Sequence, residues 1–134
     1  MSKIAMTVAD CMVPARLTLT PQTTIRKAVE EMLRTQLISA PVLDEDGRVV
    51  GYLSEQDCLR HMISGTYYNE ESGFVSDVMQ HDVLFAEATM DILDLAHLMC
   101  GAKPKKYPVC KDGKLIGVIN RSHIMKALIE TSNS

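Results

Sequence analysis

The residues best suited to chemistry lie in the run Gly51-Tyr52-Leu53-Ser54-Glu55-Gln56-Asp57. Ser54 ends an apolar stretch that reads as a strand, and Asp57 falls in the first turn of the helix expected to follow. Both side chains then gather at one helix N-terminus. A carboxylate there accepts hydrogen bonds from both hydroxyls of a cis-diol, while free backbone N–H groups and the helix dipole favour a phosphate nearby. The same Ser-x-x-Asp spacing is also a capping arrangement, with Ser54 as the N-cap and an acid in the first turn. Every helix must satisfy its end groups, so the local sequence by itself favours the cap. The two roles are compatible.

A second run, Gly117-Val118-Ile119-Asn120-Arg121-Ser122-His123, keeps the glycine and the apolar pair but puts Asn120 where Ser54 stands and His123 where Asp57 stands. Asn is a good N-cap, so the fold tolerates the change. His cannot act as a double acceptor toward a diol. This second place is expected to be empty or to take a phosphate or another anion. Lys105 and Lys106, just before Tyr107-Pro108, supply positive charge on that reading; the residues by themselves favour a solvated loop end for Lys103, Lys105 and Lys106.

Other chemistry is thinly represented. Cys11, Cys58, Cys100 and Cys110 include no C-x-x-C pair, and His61, His81, His97 and His123 are scattered. No His or Cys spacing suits zinc, and reduced thiols in apolar settings are the expectation. No nucleophile stands beside a recognisable base, no glycine-rich phosphate loop is present, and no motif pairs two carboxylates. An enzyme is not expected, and neither is a required cofactor. Seven basic residues face eight acidic ones in residues 1–67, and seven face nine in residues 68–134. Neither half has the basic excess that neutralises a phosphate backbone, and Trp is absent, so nucleic-acid binding is disfavoured. No apolar run approaches the ~20 residues a membrane helix needs. The first ten residues reach Asp10 before any long apolar stretch, so no secretory signal is expected and the expected location is the cytoplasm.

The elements that must position these residues come in two copies. Val8-Ala9-Asp10-Cys11-Met12 returns as Val75-Ser76-Asp77-Val78-Met79, and Ile25 with Ile92, Met32 with Met99 and Pro41-Val42 with Pro108-Val109 keep the same offset of 67. After a one-residue deletion, Asp46-Gly47 pairs with Asp112-Gly113 and Gly51 with Gly117. Residues 17–20 alternate and stop at Pro21, which predicts a short strand. Ile25, Ala28, Val29, Met32 and Leu33 form an apolar helix stripe, with Thr23 or Thr24 as its cap. Ala40–Leu43 and Val49–Leu53 flank the turn Asp44-Glu45-Asp46-Gly47, a hairpin, and a helix runs from Glu55 to about Ile63. The second copy predicts a strand at 83–86, a helix stripe of Ile92, Leu95, Ala96 and Met99, a hairpin turning at Asp112-Gly113, and a helix from about Arg121 to Ile129. Met32, Met99 and Met125 sit on helix stripes and read as core.

Each copy is thus β-α-β-β-α, and the fold class expected is α+β. With 134 residues, 46% of them hydrophobic, the chain can bury a real core. A sheet with helices on one face leaves its other face uncovered, so the expectation is two repeats packed sheet to sheet about a pseudo-two-fold axis, with a cleft for a small ligand between them. The first repeat is set at 8–63, a polar connector at 64–74 and the second repeat at 75–131.

Two copies of D-x-M, a short strand, an amphipathic helix, P-V, D-G, then G, two apolar residues, Ser or Asn and a helix resemble a tandem pair of CBS domains, the cystathionine-β-synthase-like repeat whose pair is called a Bateman module. The resemblance covers residues 8–130. It implies a regulatory module that binds an adenosine-containing ligand such as AMP, ADP, ATP or S-adenosylmethionine, commonly as a homodimer. It implies that Ser54 and Asp57 hold the ribose, and that Met12, Val13, Leu17, Ile38, Ser39, Ala40 and Pro41 wall the base. It also implies a second pocket at Lys105, Lys106, Tyr107, Pro108, Asn120 and His123, where His123 departs from the family's Asp and puts the ribose role in doubt. An effector protein is implied but not identified. The rival expectation is a module that binds no ligand and only dimerises or docks on a partner.

Overall fold

The computed structural model describes residues 6–64, 73–101 and 106–132. Lys103, Lys105 and most of the expected connector, residues 65–72, lie outside the described residues. The elements follow in the order α1 (Val8–Cys11), α2 (Ile25–Thr35), β1 (Ser39–Leu43), β2 (Val49–Ser54), α3 (Glu55–Met62), α4 (Val75–Val78), β3 (Ala86–Glu87), α5 (Ile92–Met99), β4 (Lys106–Lys111), β5 (Lys114–Asn120) and α6 (Arg121–Ser132). This is the α+β class expected.

The compact units do not coincide with the sequence repeats. One unit takes residues 15–83, and the other joins residues 1–14 to residues 84–134. Each D-x-M segment is therefore built into the unit that carries the other copy's hairpin. The reason is visible at two glycines. A Cβ on Gly51 would collide with the Met79 sulfur and stand 3.0 Å from the Gln80 carbonyl oxygen, and a Cβ on Gly117 would stand 2.8 Å from the Met12 sulfur and 2.9 Å from the Val13 carbonyl oxygen. The missing side chain lets the incoming segment lie against the strand. There Tyr52 and Gln80 exchange two backbone hydrogen bonds, as do Val13 and Val118. The aspartate of each motif closes its own short helix: Asp10 accepts the Thr7 N–H and Asp77 the Phe74 N–H, both at 2.8 Å.

In the 15–83 unit β1 and β2 pair antiparallel, with Ser39 opposite Ser54, Ala40 opposite Leu53 and Pro41 opposite Tyr52. Ala40, Val42 and Leu53 face inward onto Ala28, Met32, Cys58, Val75 and Met79. Helix α2 starts where Thr24 accepts the Lys27 N–H, confirming the second of the two caps expected. Residues 17–20 contribute less than a strand. Only Leu19 joins the sheet, bonded to Pro41 and Leu43, because the Thr20 N–H turns away to the Thr23 hydroxyl at 3.2 Å.

The other unit repeats the plan. β4 and β5 are antiparallel, and β3 adds to β4 in parallel through Ala86 and Glu87. The strand expected at 83–86 thus begins later, since the Val83 N–H is held in a turn by the His81 carbonyl. Asp112 and Gly113 both have positive φ, 54° and 82°, the two-residue hairpin geometry that Asp-Gly favours. Val8, Ile92, Leu95, Met99, Tyr107, Val109, Ile119 and Ile124 form this unit's core. Arg121 donates to the Met99 carbonyl at 3.0 and 2.6 Å, tying α6 to the end of α5.

Candidate functional site

In the 15–83 unit the sheet face turned away from the helices carries Ser39, Pro41, Tyr52 and Ser54, as the strand register requires. Tyr52 and Ser39 share a hydrogen bond of 3.2 Å, and burial raises the Tyr52 pKa, a rise that this bond partly offsets. Strand β2 runs into α3 without a loop, so Ser54 becomes the N-cap. Its hydroxyl oxygen accepts the Asp57 N–H at 3.1 Å, and Asp57 Oδ2 accepts the Ser54 N–H at 3.1 Å and the Ser54 hydroxyl at 2.8 Å. The capping role read from the sequence is present in full.

Asp57 is more than a cap. It is 5% exposed, and its second oxygen, Oδ1, accepts from Gln80 Nε2 at 3.0 Å and from Arg60 Nη1 at 3.5 Å. The result is a buried carboxylate at a helix start, with one oxygen committed to the cap and the other to side chains from elsewhere. Gln80 was not singled out from the sequence, and Tyr52 was read there only as one of the apolar pair after Gly51. The signal for Gln80 was available: the offset of 67 matches it to Val13, and the exchange of segments between units brings it, rather than Val13, to Tyr52.

The other expected wall residues are divided between the two units and between core and surface. Met12 and Val13 lie on the second unit, against Gly117 and Val118. The places beside Gly51 and Tyr52 belong to Met79 and Gln80. Ala40 is fully buried in the core and offers no surface to a ring. Ile38 is 62% exposed and lines a groove between α2 and α3 with Leu33, Leu59 and Met62. Leu17 is half-buried against the core. Of the expected residues, Ser39, Pro41 and Ser54 share one face of the β1–β2 pair, and Asp57 is bonded to Ser54 at its end.

The second copy has the same outline with other chemistry. Asn120 Oδ1 accepts the His123 N–H at 3.1 Å and the Ser122 hydroxyl at 2.7 Å, and His123 Nδ1 accepts the Asn120 N–H at 3.0 Å. A histidine here does the capping work of Asp57 with a single acceptor nitrogen. Burial, followed by the Lys106 and Lys126 charges, lowers the His123 pKa below its usual value. Tyr107 and Pro108, expected at a second pocket, are buried, and the Tyr107 ring packs into the core of its unit.

The thiols divide by setting. Burial, reinforced by neighbouring carboxylates, pushes Cys58 and Cys110 up to about 11, which leaves them poor nucleophiles. Cys100 is exposed, outside the apolar setting expected for it. Among the described residues no three His, Cys, Asp or Glu side chains are placed to hold a metal ion, and no helix is long and apolar enough to cross a membrane.

This architecture is shared with known proteins. The chain is 29% identical over 140 residues to the CBS domain-containing protein CBSX1, chloroplastic, of Arabidopsis thaliana, a match covering 85% of this chain and 59% of that protein. It is 29% identical over 120 residues to the methylated protein MJ0556 of Methanocaldococcus jannaschii, covering 83% of this chain and 66% of the relative. The chain thus spans less than two-thirds of the length of either. Among solved structures, CBSX2 in complex with AMP superposes with a TM-score of 0.80 at 26% identity, over 94% of this chain and 98% of that one. The duplicated D-x-M segment, the hairpin and the capped helix recur as the family model for the CBS domain, which matches residues 8–64 and again 75–130, so the chain belongs to the CBS domain family.

Proposed function

We propose that this chain is a regulatory, non-catalytic module of the cytoplasm that senses an adenosine-containing ligand at the Ser54–Asp57 helix start. The observation that carries the reading is the buried Asp57 carboxylate, whose Oδ1 is held, among the described residues, by two side chains that can exchange for ligand hydroxyls. Charge-assisted hydrogen bonds of this kind contribute about 1.5–3 kcal/mol each where water is excluded. Ser39, Pro41 and Tyr52 supply the adjoining face, and the first N–H groups of α3 favour a phosphate. The reading is supported by the likeness to CBSX2, whose solved structure contains AMP. AMP, ADP, ATP and S-adenosylmethionine are the ligands to try. Binding shifts an equilibrium between arrangements only by the difference in its affinity for them, so the output passes through an effector protein or through assembly.

A thermal-melting panel with these four compounds tests the proposal. A ligand at 100 times its Kd adds about 2.7 kcal/mol, which for a chain of this size raises Tm by about 10 °C. No shift with any adenosine compound at millimolar concentration refutes it.

A second reading, homodimerisation or partner docking without a ligand, is favoured by one feature. The groove of about 590 Å³ between α2 and α3 is apolar, and Leu33 at 74%, Leu59 at 59% and Ile63 at 76% exposure surround it or lie close by in sequence. Apolar surface of this kind marks association. Sedimentation showing a dimer that Leu33→Glu dissociates, together with a flat melting panel, establishes that reading in place of the first.

A further inference from the structure

Asp57 can offer a cis-diol only what the protein does not already hold. Its Oδ2 closes α3 through the Ser54 N–H and hydroxyl, and releasing it frays the helix start. Oδ1 is the negotiable oxygen. It is held by Gln80 Nε2 at 3.0 Å and, at the longer distance of 3.5 Å, by Arg60, whose side chain is 67% exposed. We propose that Gln80 gates the ribose site: its side-chain amide occupies the acceptor that a diol needs, and a ligand enters by displacing it. This inference rests on the adenosine-binding reading.

The backbone geometry allows such a gate. The Gln80 N–H donates to the Tyr52 carbonyl at 2.8 Å and its carbonyl accepts the Tyr52 N–H at 2.9 Å, so the main chain stays fixed. The residue as a whole is exposed, which leaves its three side-chain torsions room to swing the amide outward. The second unit supplies an internal control. Its corresponding bridge joins Val13 to Val118, and Val13 carries no side-chain donor, while the residue at the Asp57 position is His123. Amide and carboxylate occur together in one unit and are both missing from the other. A cap alone does not require the pair, since the Asn120–His123 cap closes without it. Displacement also makes the gate selective: a ligand lacking the diol cannot replace the lost donor.

The test is calorimetric titration of wild type, Gln80→Ala and Gln80→Met with AMP and with 2′,3′-dideoxyadenosine 5′-monophosphate. Gln80→Met keeps the length of the side chain without its donor and covers the case in which Gln80→Ala folds poorly. Both variants are expected to bind AMP about tenfold more tightly than wild type, the equilibrium equivalent of one competing hydrogen bond to a charged group. Affinity for the dideoxy analogue is expected to stay unchanged. Detectable AMP binding in the variants alone is the strongest form of the same result. Equal or weaker AMP binding by both variants overturns the gate and leaves the adenosine reading standing. An equal gain for the dideoxy analogue overturns it too, since the effect is then not one of diol competition. Absence of binding in all three proteins removes the adenosine reading, and the gate with it.

Discussion

In both units a strand runs directly into a helix, and the side chain three positions after the cap turns back to accept the cap's own N–H. The first copy does this with Asp57 and the second with His123. As helix closures the two are equivalent. As chemical groups they differ in capacity, because a carboxylate has about four acceptor sites and a neutral imidazole has one. Asp57 closes α3 and still holds Gln80 and Arg60, whereas His123 has no acceptor left once Asn120 is satisfied. A duplicated fold can thus preserve its architecture while confining a binding function to one copy.

Breaking the comparison at its acceptors is expected to give the largest effect. Asp57→Ala leaves the Ser54 cap but removes its return half, the bonds from the Ser54 N–H and hydroxyl to a buried carboxylate, a loss of about 3 kcal/mol. His123→Ala loses only the return bond from the Asn120 N–H, about 1 kcal/mol. Urea denaturation at pH 7.5 measures both, and the midpoints give the difference if the slopes agree. AMP affinity should collapse in Asp57→Ala and persist in His123→Ala. Equal losses of stability and binding would dissolve the distinction between the copies.

The glycines sharpen it in the opposite sense, since here the copies should behave alike. Gly51→Ala and Gly117→Ala each force a methyl group against a methionine sulfur and a backbone carbonyl of the inserted segment. Overpacking of this kind costs about 1–3 kcal/mol. The backbone oxygen is the atom that cannot yield, and it stands 2.9 Å from a Cβ on Gly117 and 3.0 Å from one on Gly51, so the two substitutions should cost similar amounts. Denaturation midpoints read both, and a neutral Gly51→Ala would show that the segment does not lie against β2 as described.

Much of this was legible in the sequence because the determinants are local. Periodicity placed α2 and α5, Asp-Gly placed the hairpin turns, and Ser-x-x-Asp placed the cap, each within a few residues of its physical cause. The exchange of the D-x-M segments between units was not legible. It depends on Gly51 meeting Met79, and Gly117 meeting Met12, at separations no local pattern encodes. Met12 and Val13, named from the sequence, lie against Gly117 and Val118, and Gln80, not named there, pairs with Tyr52. The alternation of β1 was legible but unused: Ala40 opposite Leu53 is a core pair, while Ser39 and Pro41 belong to the other face.

A smaller effect separates the copies by pH. The folded state holds His123 neutral, with its pKa lowered first by burial and then by the Lys106 and Lys126 charges. The unfolded chain therefore binds the proton more readily, so the stabilisation is complete above the ordinary value of 6.5 and is lost as pH falls from there through the lowered folded-state value. His123→Asn retains an acceptor for the Asn120 N–H but cannot titrate. Between pH 7.5 and 5.5 the wild type should lose more stability than this variant, by at most the worth of one cap, about 1 kcal/mol. Parallel pH profiles would show that protonation does not open the second cap.

The smallest predicted effect is that of removing one hydroxyl where the copies differ inside their cores. Ala40 in one unit corresponds to Tyr107 in the other, and both side chains point from the sheet into the helices. The tyrosine brings a hydroxyl into a place where, among the described residues, nothing bonds it, although the residue is only 3% exposed. A buried hydroxyl without a partner costs free energy that the ring's packing must offset. Tyr107→Phe keeps the ring and removes the orphan, so it should raise stability by about 0.5–1 kcal/mol, against the usual direction of core substitutions. Tyr107→Ala should instead lose about 3 kcal/mol, because the helices around it are spaced for an aromatic ring and leave a cavity without one. Chemical denaturation of the pair decides between two accounts of this residue. If Tyr107→Phe destabilises the protein, the hydroxyl has a partner in solution, and position 107 is polar by design rather than a ring that carries its oxygen at a loss.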